Sequence, residues 1–151
     1  MAKFTLEQAA AIAAIQQVIN EWGDELDQRN GLTIRQSGVL TEDCQYNVAG
    51  EWRDGIAATA QFYAERSPRL EAAGGVPVMR HIISNFRISF VAEDHAKTDY
   101  LLLFFSKVGT APFTDYCDPI ALAEVQMECK RGADGEWRIS RFDSGQIFRR
   151  G

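Results

Sequence analysis

The sequence predicts an α+β fold: a long N-terminal helix and shorter helices packed on a curved, mostly antiparallel sheet, forming a cone with an internal cavity. Three observations predict it. Ile12, Ile15, Ile19, Trp22 and Leu26 recur at spacings of three and four, the single apolar stripe of an amphipathic helix. From residue 79 onward the hydrophobic period changes to two. Between the last two period-two runs stands "KRGADGEW", with Asp134-Gly135 as a two-residue hairpin turn. Helices first and antiparallel strands after them is the order of an α+β chain, with its helices on one face of the sheet.

Each element has its own signal. Thr5 and Gln8 in "TLEQ" fit a capping box, in which each side chain satisfies an orphan backbone donor of the first helix. Asn30-Gly31 ends that helix, Gly31 supplying the left-handed C-cap. A second helical stretch is expected through "TIRQSGVL" (33–40). "TEDCQYNV" (41–48) reads as a short strand running into a turn at "NVAGEWRDG", and "IAATAQFYAER" (56–66) as a short helix with Pro68 just beyond it. "EAAGGVPV" is a connector. Strands are expected at 79–91, 96–107, 120–130 and 136–148, with Asp94 and His95 in the turn that joins the first two. The segment 106–119, rich in Gly, Pro and Asp and carrying Phe113 and Tyr116, is either a lid over the cavity or an ordinary long loop.

Composition excludes several classes of function. The chain has 151 residues, 46% of them hydrophobic and 25% charged, as expected of one globular domain spanning 1–151. The net charge of −5 lacks the basic footprint of a nucleic-acid binder. No apolar run reaches about 18 residues, so no membrane-spanning helix is expected. "MAKFTLEQ" has no signal-peptide core. The odd set Cys44, Cys117 and Cys129 reads as reduced thiols in a cytoplasmic protein. With two histidines and no Cys-x-x-Cys, no zinc site is expected.

The candidate chemistry centres on "VPVMRHIISNFRISF" (76–90). His81 is the one histidine outside a turn. Alternation puts His81, Ile83 and Asn85 on one strand face and Ile82, Phe86, Ile88 and Phe90 on the other. That first face meets either solvent or a pocket, and periodicity does not choose. Asp27 lies at the edge of the helical stripe, near a helix C-terminus where its charge opposes the macrodipole. It is either a solvated charge or one held by a specific partner. Tyr46 is core packing or a site residue, and Trp22 is core or pocket wall. Gln126 shares a face with Glu124 and Glu128, either an outer surface or a pocket. The opposite face, Ala123, Val125 and Met127, is core or a subunit interface.

The chain resembles the SnoaL-like branch of the nuclear transport factor 2-like superfamily in five places that follow one another in order. They are "NEWGDELDQRN", "LTEDCQYNV", "RDGIAATAQFY", "RHIISNFRI" and "DGEWRISRFD". Within that branch the pattern is most similar to scytalone dehydratase; hexachlorocyclohexane dehydrochlorinase, ketosteroid isomerase and polyketide cyclases share the fold. The resemblance implies a cone-shaped, homodimeric or homotrimeric enzyme without a cofactor, moving a proton on a bulky hydrophobic, aromatic or phenolic small molecule.

Carried over residue by residue, the dehydratase pattern places catalysis on His81, Asp27 and Tyr46. It places substrate contacts on Trp22 and near Gln126. Asn85, from the strand motif of the branch, and Phe62, Phe105 and Phe142, as aromatic walls, complete the expected substrate-binding set. An imidazole titrates near neutral pH and can take and return a proton. A carboxylate on its other nitrogen fixes the tautomer and stabilises the imidazolium. Tyr46, Asn85 and Gln126 carry donors for a developing oxygen charge. Three features depart from the pattern: Gln126 stands near the place of its asparagine on the penultimate strand, its second histidine is absent near Ser106 and Lys107, and Leu26 replaces its tyrosine beside the Asp. The expected function is a lyase releasing water, halide or a small aldehyde. An isomerase or cyclase, a non-catalytic small-molecule binder and a dioxygenase small-subunit-like module are the alternatives.

Overall fold

The structure, a computed structural model, describes residues 3–151. Helix α1 spans Leu6–Arg29. Its capping box forms as the sequence implies: Gln8 N–H donates to Thr5 Oγ1 at 3.1 Å and Thr5 N–H to Gln8 Oε1 at 2.9 Å. The stripe buries Ile15, Val18, Ile19, Trp22 and Leu26 against the sheet. At the other end Asn30 is itself the left-handed cap, with φ 55°, and Gly31 follows at φ 73°. Asparagine tolerates that region, so Gly31 is required for a different reason. A Cβ on Gly31 would stand 2.5 Å from Cγ of Tyr63, whose ring lies against the end of the helix.

The stretch 33–40 is not a helix. Residues 30–36 form consecutive turns, and Leu40 opens the first strand. Gly31 and Gly38, both at positive φ, leave too few residues between them to nucleate a helix. A buried carboxylate holds the segment instead. Glu25 accepts from the Thr33 N–H and hydroxyl, each at 2.8 Å to Oε1.

Strand β1, Leu40–Val48, turns back at Ala49-Gly50 into a short strand β2, Glu51–Asp54. Both turn residues have positive φ, 58° and 82°, as a two-residue hairpin of matching twist requires. The expected turn thus contains a strand of its own. Helix α2 spans Gly55–Ala72 and includes Pro68, which the sequence placed beyond it. Proline removes one donor from the ladder, and the helix continues through that gap by one more turn. Strands β3 (Val78–Ala92), β4 (His95–Lys107), β5 (Ala121–Arg131) and β6 (Trp137–Arg149) complete the sheet. The order is β2-β1-β6-β5-β4-β3, with β1 parallel to β6 and every other pair antiparallel. This is a long helix and one more helix on a curved, open, six-stranded sheet.

Two corrections follow from the register. Pairing of β3 with β4 slips between Ser84 and Arg87, where Asn85 sits at φ 56°. An extra residue there reverses the alternation. Ile83 therefore shares its face with Phe86, Ile88 and Phe90, all packed on the core, whereas Ile82 is 49% exposed. His95 is not a turn residue but the first of β4, paired with Ala92, and its Nε2 lies 2.7 Å from Glu128 Oε1. On β5, Ala123, Val125 and Met127 are buried in the core. Among the described residues no helix is long and apolar enough to cross a membrane.

Gly31 and Gly50 provide a test of the contact with Tyr63. Gly50 has φ 82° and nothing within 4 Å of an added Cβ, so Gly50→Ala costs only the left-handed backbone, about 1–2 kcal/mol. Gly31→Ala adds the displacement of the Tyr63 ring, a further ~1–3 kcal/mol. Urea unfolding of the two variants is expected to show the larger loss for Gly31→Ala.

Candidate active site

The end of α1 meets β3 through one carboxylate. Asp27 Oδ2 accepts the backbone N–H of His81 at 3.0 Å, and Oδ1 lies 2.6 Å from His81 Nδ1. The two side chains are 10% and 9% exposed. Residue 81 belongs to the inward face of β3, ahead of the bulge, and the helical turn between Gly23 and Asp27 brings the carboxylate over that face. In neutral His81 this contact places the ring proton on Nδ1. The lone pair is then on Nε2, the nitrogen not engaged by Asp27. The ring is held from two sides, stacked on Phe104 at 4.7 Å between centroids and edge-on to Trp22 at 5.7 Å.

His81 lines a cavity of about 150 Å³ between the helices and the inner face of the sheet. Its walls are mostly apolar: Leu26 of α1, Val48 of β1, Leu102 and Phe104 of β4, Ala123 of β5 and Phe142 of β6. The polar groups on it are His81, Tyr46, Tyr63, Arg66, Ser144 and Gln146.

Tyr46 is a hydrogen-bond hub within that wall. It is fully buried, stacked on Phe142 at 4.6 Å, and accepts the indole N–H of Trp22 at 2.8 Å. Its oxygen lies 2.6 Å from the Tyr63 hydroxyl. The two phenols carry two O–H hydrogens and share one bond, so one hydrogen is left for a ligand. Burial first, then the neighbouring Tyr63 phenol, pushes Tyr46 well above the ordinary tyrosine value, against the Trp22 bond. Burial also raises Tyr63, while its bond to Tyr46 and the Arg66 and Arg53 charges pull it back. Both phenols are neutral donors at neutral pH. Tyr100, 1% exposed and likewise pushed well up by burial, has a hydroxyl with no partner.

The predicted site residues divide cleanly. His81, Asp27, Tyr46, Trp22 and Phe142 come together at or beside the cavity. Asn85, Gln126, Phe62 and Phe105 do not line it. Asn85 is the exposed bulge residue. Gln126 is exposed on the outer face of the sheet with Glu124 and Glu128. Phe62 lies under the Arg53 guanidinium, 3.7 Å from its ring centroid. Phe105 points away, because the inward residues of β4 are even-numbered, and its neighbour Phe104 takes the wall position. No residue of 106–119 lines the cavity. Lys107 holds that loop to itself, bonding Asp115 at 2.6 Å and the Tyr116 carbonyl at 3.2 Å.

Tyr63, Arg66 and Phe104 are functional candidates the sequence reading passed over, and each had a signal. Ile56, Thr59, Tyr63 and Arg66 are spaced three and four apart, which sets a tyrosine and an arginine on the inward stripe of α2. Lys97 and Asp99 mark the odd residues of β4 as outward, leaving Phe104 inward. Among the described residues no cluster of three or more His, Cys, Asp or Glu stands close enough to ligate a metal ion.

The sequence pattern of the SnoaL-like domain matches residues 7–143. The chain belongs to this family. Solved structures share the fold. A scytalone dehydratase-type protein of Novosphingobium aromaticivorans is 18% identical with a TM-score of 0.74, covering 96% of this chain and 89% of its own. The hexachlorocyclohexane dehydrochlorinase LinA-type3 of Novosphingobium barchaimii is 19% identical at TM-score 0.75, covering 96% and 92%. ActVI-ORFA of Streptomyces coelicolor is 15% identical at TM-score 0.76, covering 95% and 99%. No curated protein matches the chain. This SnoaL-like domain thus has its family's scaffold, and at these identities the likeness concerns the fold alone.

The phenol cluster yields two expectations. Tyr46→Phe strands both the Trp22 N–H and the Tyr63 hydroxyl, about 1–3 kcal/mol for each group left unpaired, whereas Tyr63→Phe removes one bond, about 1 kcal/mol. Urea unfolding is expected to rank Tyr46→Phe as the more damaging. Tyr46, Tyr63 and Tyr100 all have folded values above their unfolded value near 10, so above about pH 10 the unfolded chain binds fewer protons than the folded one. Stability is full below that pH and falls as pH rises. Tyr100→Phe, which breaks no hydrogen bond, is expected to raise the alkaline unfolding midpoint in a circular-dichroism titration.

Proposed function

We propose that this SnoaL-like domain is a cofactor-independent lyase that abstracts a proton from a hydrophobic, aromatic or phenolic small molecule. The carrying observation is the 2.6 Å contact of Asp27 Oδ1 with His81 Nδ1, beside an apolar-walled cavity that also receives a shared phenol pair. Fold likeness to a scytalone dehydratase-type protein and to a dehydrochlorinase supports the reaction class.

In this reading His81 Nε2 takes a proton from a substrate carbon that is acidified by conjugation to an oxygen. The C–H electron pair becomes the new double bond, and the leaving group departs from the adjacent carbon with its own pair. Asp27 stabilises the imidazolium that forms and holds the ring still. The spare hydroxyl hydrogen of the Tyr46–Tyr63 pair donates to the substrate oxygen as charge develops on it. Trp22, Phe104 and Phe142 exclude water and grip the ring. A halide departs directly in this step, and a hydroxyl departs as water by taking the proton back from the His81 imidazolium. A small aldehyde is released in a variant in which His81 takes the proton of a hydroxyl group, the O–H pair forms the aldehyde carbonyl, and the broken C–C pair stays on the conjugated carbon, which takes the proton back from the imidazolium.

An isomerase is the second reading, favoured by a specific observation. The other imidazole, His95, is engaged with Glu128 away from the cavity, so His81 supplies the one imidazole on the wall. A single base returning its proton at a second carbon releases no fragment.

The test is a screen of phenolic compounds bearing benzylic hydroxyl or ether carbons, with products followed by mass spectrometry. His81→Ala and Asp27→Asn are expected to lower kcat by roughly 10²–10⁴-fold with unchanged circular dichroism. Turnover that survives His81→Ala refutes the base assignment. A product of unchanged mass selects the isomerase.

A further inference from the structure

Arg66 is the permanent positive charge on the cavity wall, and the protein does not neutralise it. Its guanidinium carbon stands 4.9 Å from the Tyr63 ring centroid. Its Nη2 reaches only the thioether of Met79, at 3.9 Å. Its Nε is shut off from solvent and has no hydrogen-bond partner. Among the described residues no carboxylate lies within 4.0 Å of it, whereas Arg53 and Arg138 each have one and Arg29 and Arg141 each have two. Other arginines also lack one, but Arg66 is the one on the cavity wall. The adjacent acid, Glu65, is turned outward to Gln61, at 2.9 Å. A guanidinium presents a planar fork of five donors, and a buried donor left unmatched is unfavourable. A group from outside the chain would relieve that cost.

We propose that Arg66 binds a carboxylate carried by the substrate, so that the cavity takes a single-ring aromatic or alicyclic acid. This deepens the proposed function and rests on the same cavity. The occupant is an anion because the fork is complementary to a planar carboxylate and nothing else near it is negative. It is a monoanion because one guanidinium faces it: His81 is already held by Asp27, and a phosphate is ordinarily met by several donors or a helix N-terminus. Ser144 and Gln146 add a hydroxyl and an amide to the same wall.

Size and spacing agree with this occupant. A cavity of about 150 Å³ is of the size that admits one benzene-like ring. Met79, which touches the guanidinium, and His81 lie two residues apart on one strand face, about 7 Å along the strand. One ring substituted at opposite ends spans that separation, with its carboxylate on Arg66 and its reacting carbon toward His81.

The experiment compares benzoate, phenylacetate and 3-phenylpropanoate with their primary amides, neutral molecules of the same shape, by isothermal titration and thermal shift. The wild-type protein is expected to bind at least one acid about tenfold or more tighter than its amide. Arg66→Gln is expected to abolish the preference without weakening the amide, and Arg66→Lys to restore part of it. His81→Ala is expected to keep the preference, so failure of the base assignment and failure of the anion site are separate results. Amides binding as tightly as acids, a preference unchanged in Arg66→Gln, or no binding by any of the three acids overturns the proposal.

Discussion

Asp27 uses both carboxylate oxygens on a single residue of another element, one on the backbone N–H of His81 and one on its ring. Much of the site depends on that pair of bonds. A carboxylate in the last turn of a helix faces the negative end of the macrodipole, so it gains nothing locally and is stabilised only by a partner elsewhere. The backbone bond fixes where β3 runs beneath the end of α1. The ring bond then fixes which imidazole nitrogen carries the proton and which is left for a ligand. One charge therefore sets both a packing register and a protonation pattern, and neither adjusts without the other.

The second constraint is the crowding around Tyr63. Gly31 at the end of α1 has room for no side chain because the Tyr63 ring occupies the space. The ring then delivers its hydroxyl to Tyr46, which is held by Trp22, which in turn meets the edge of His81. A glycine in a helix cap, a phenol pair and the imidazole thus form one packed series running from α2 through β1 and α1 to β3. Buried polar networks of this kind are stable only when satisfied, and the one unmatched hydroxyl hydrogen in the pair is available to whatever enters the cavity.

How far the sequence disclosed this structure depends on the range of the interactions involved. The α1 cap and stripe and the Asp134-Gly135 hairpin are local, set by residues three, four or two apart, and the sequence displays them directly. The Asp27–His81 contact spans 54 positions. Only the family pattern, whose motifs contain both residues, points to it; no periodicity demands it. The errors arose where a one-residue event altered everything after it. The bulge at Asn85 exchanged the faces of Phe86, Ile88 and Phe90. Parity on β4 decided between Phe104 and Phe105, and the charges at Lys97 and Asp99 had already marked the outward side. Pro68 and the stretch 33–40 failed for a different reason. Tertiary contacts, a continuing helix in one case and buried Glu25 in the other, overrode local propensity.

Leu26 and Tyr63 together explain how the family pattern is altered without emptying the cavity of donors. Where the dehydratase pattern has a tyrosine beside the aspartate on the first helix, this chain has Leu26, an apolar wall residue. A second phenol nevertheless reaches Tyr46, from the opposite side, on α2. Supply from α2 has a consequence that supply from α1 does not. Tyr63 and Arg66 lie three residues apart, on one face of a single helix, so a phenol and a permanent cation enter the cavity as a unit. Moving the donor to α2 therefore also determines the charge of the wall. Under the proposed function, a base on β3 and a phenol with a cation on α2 would suit a ligand with an acidic carbon at one end and negative charge at the other.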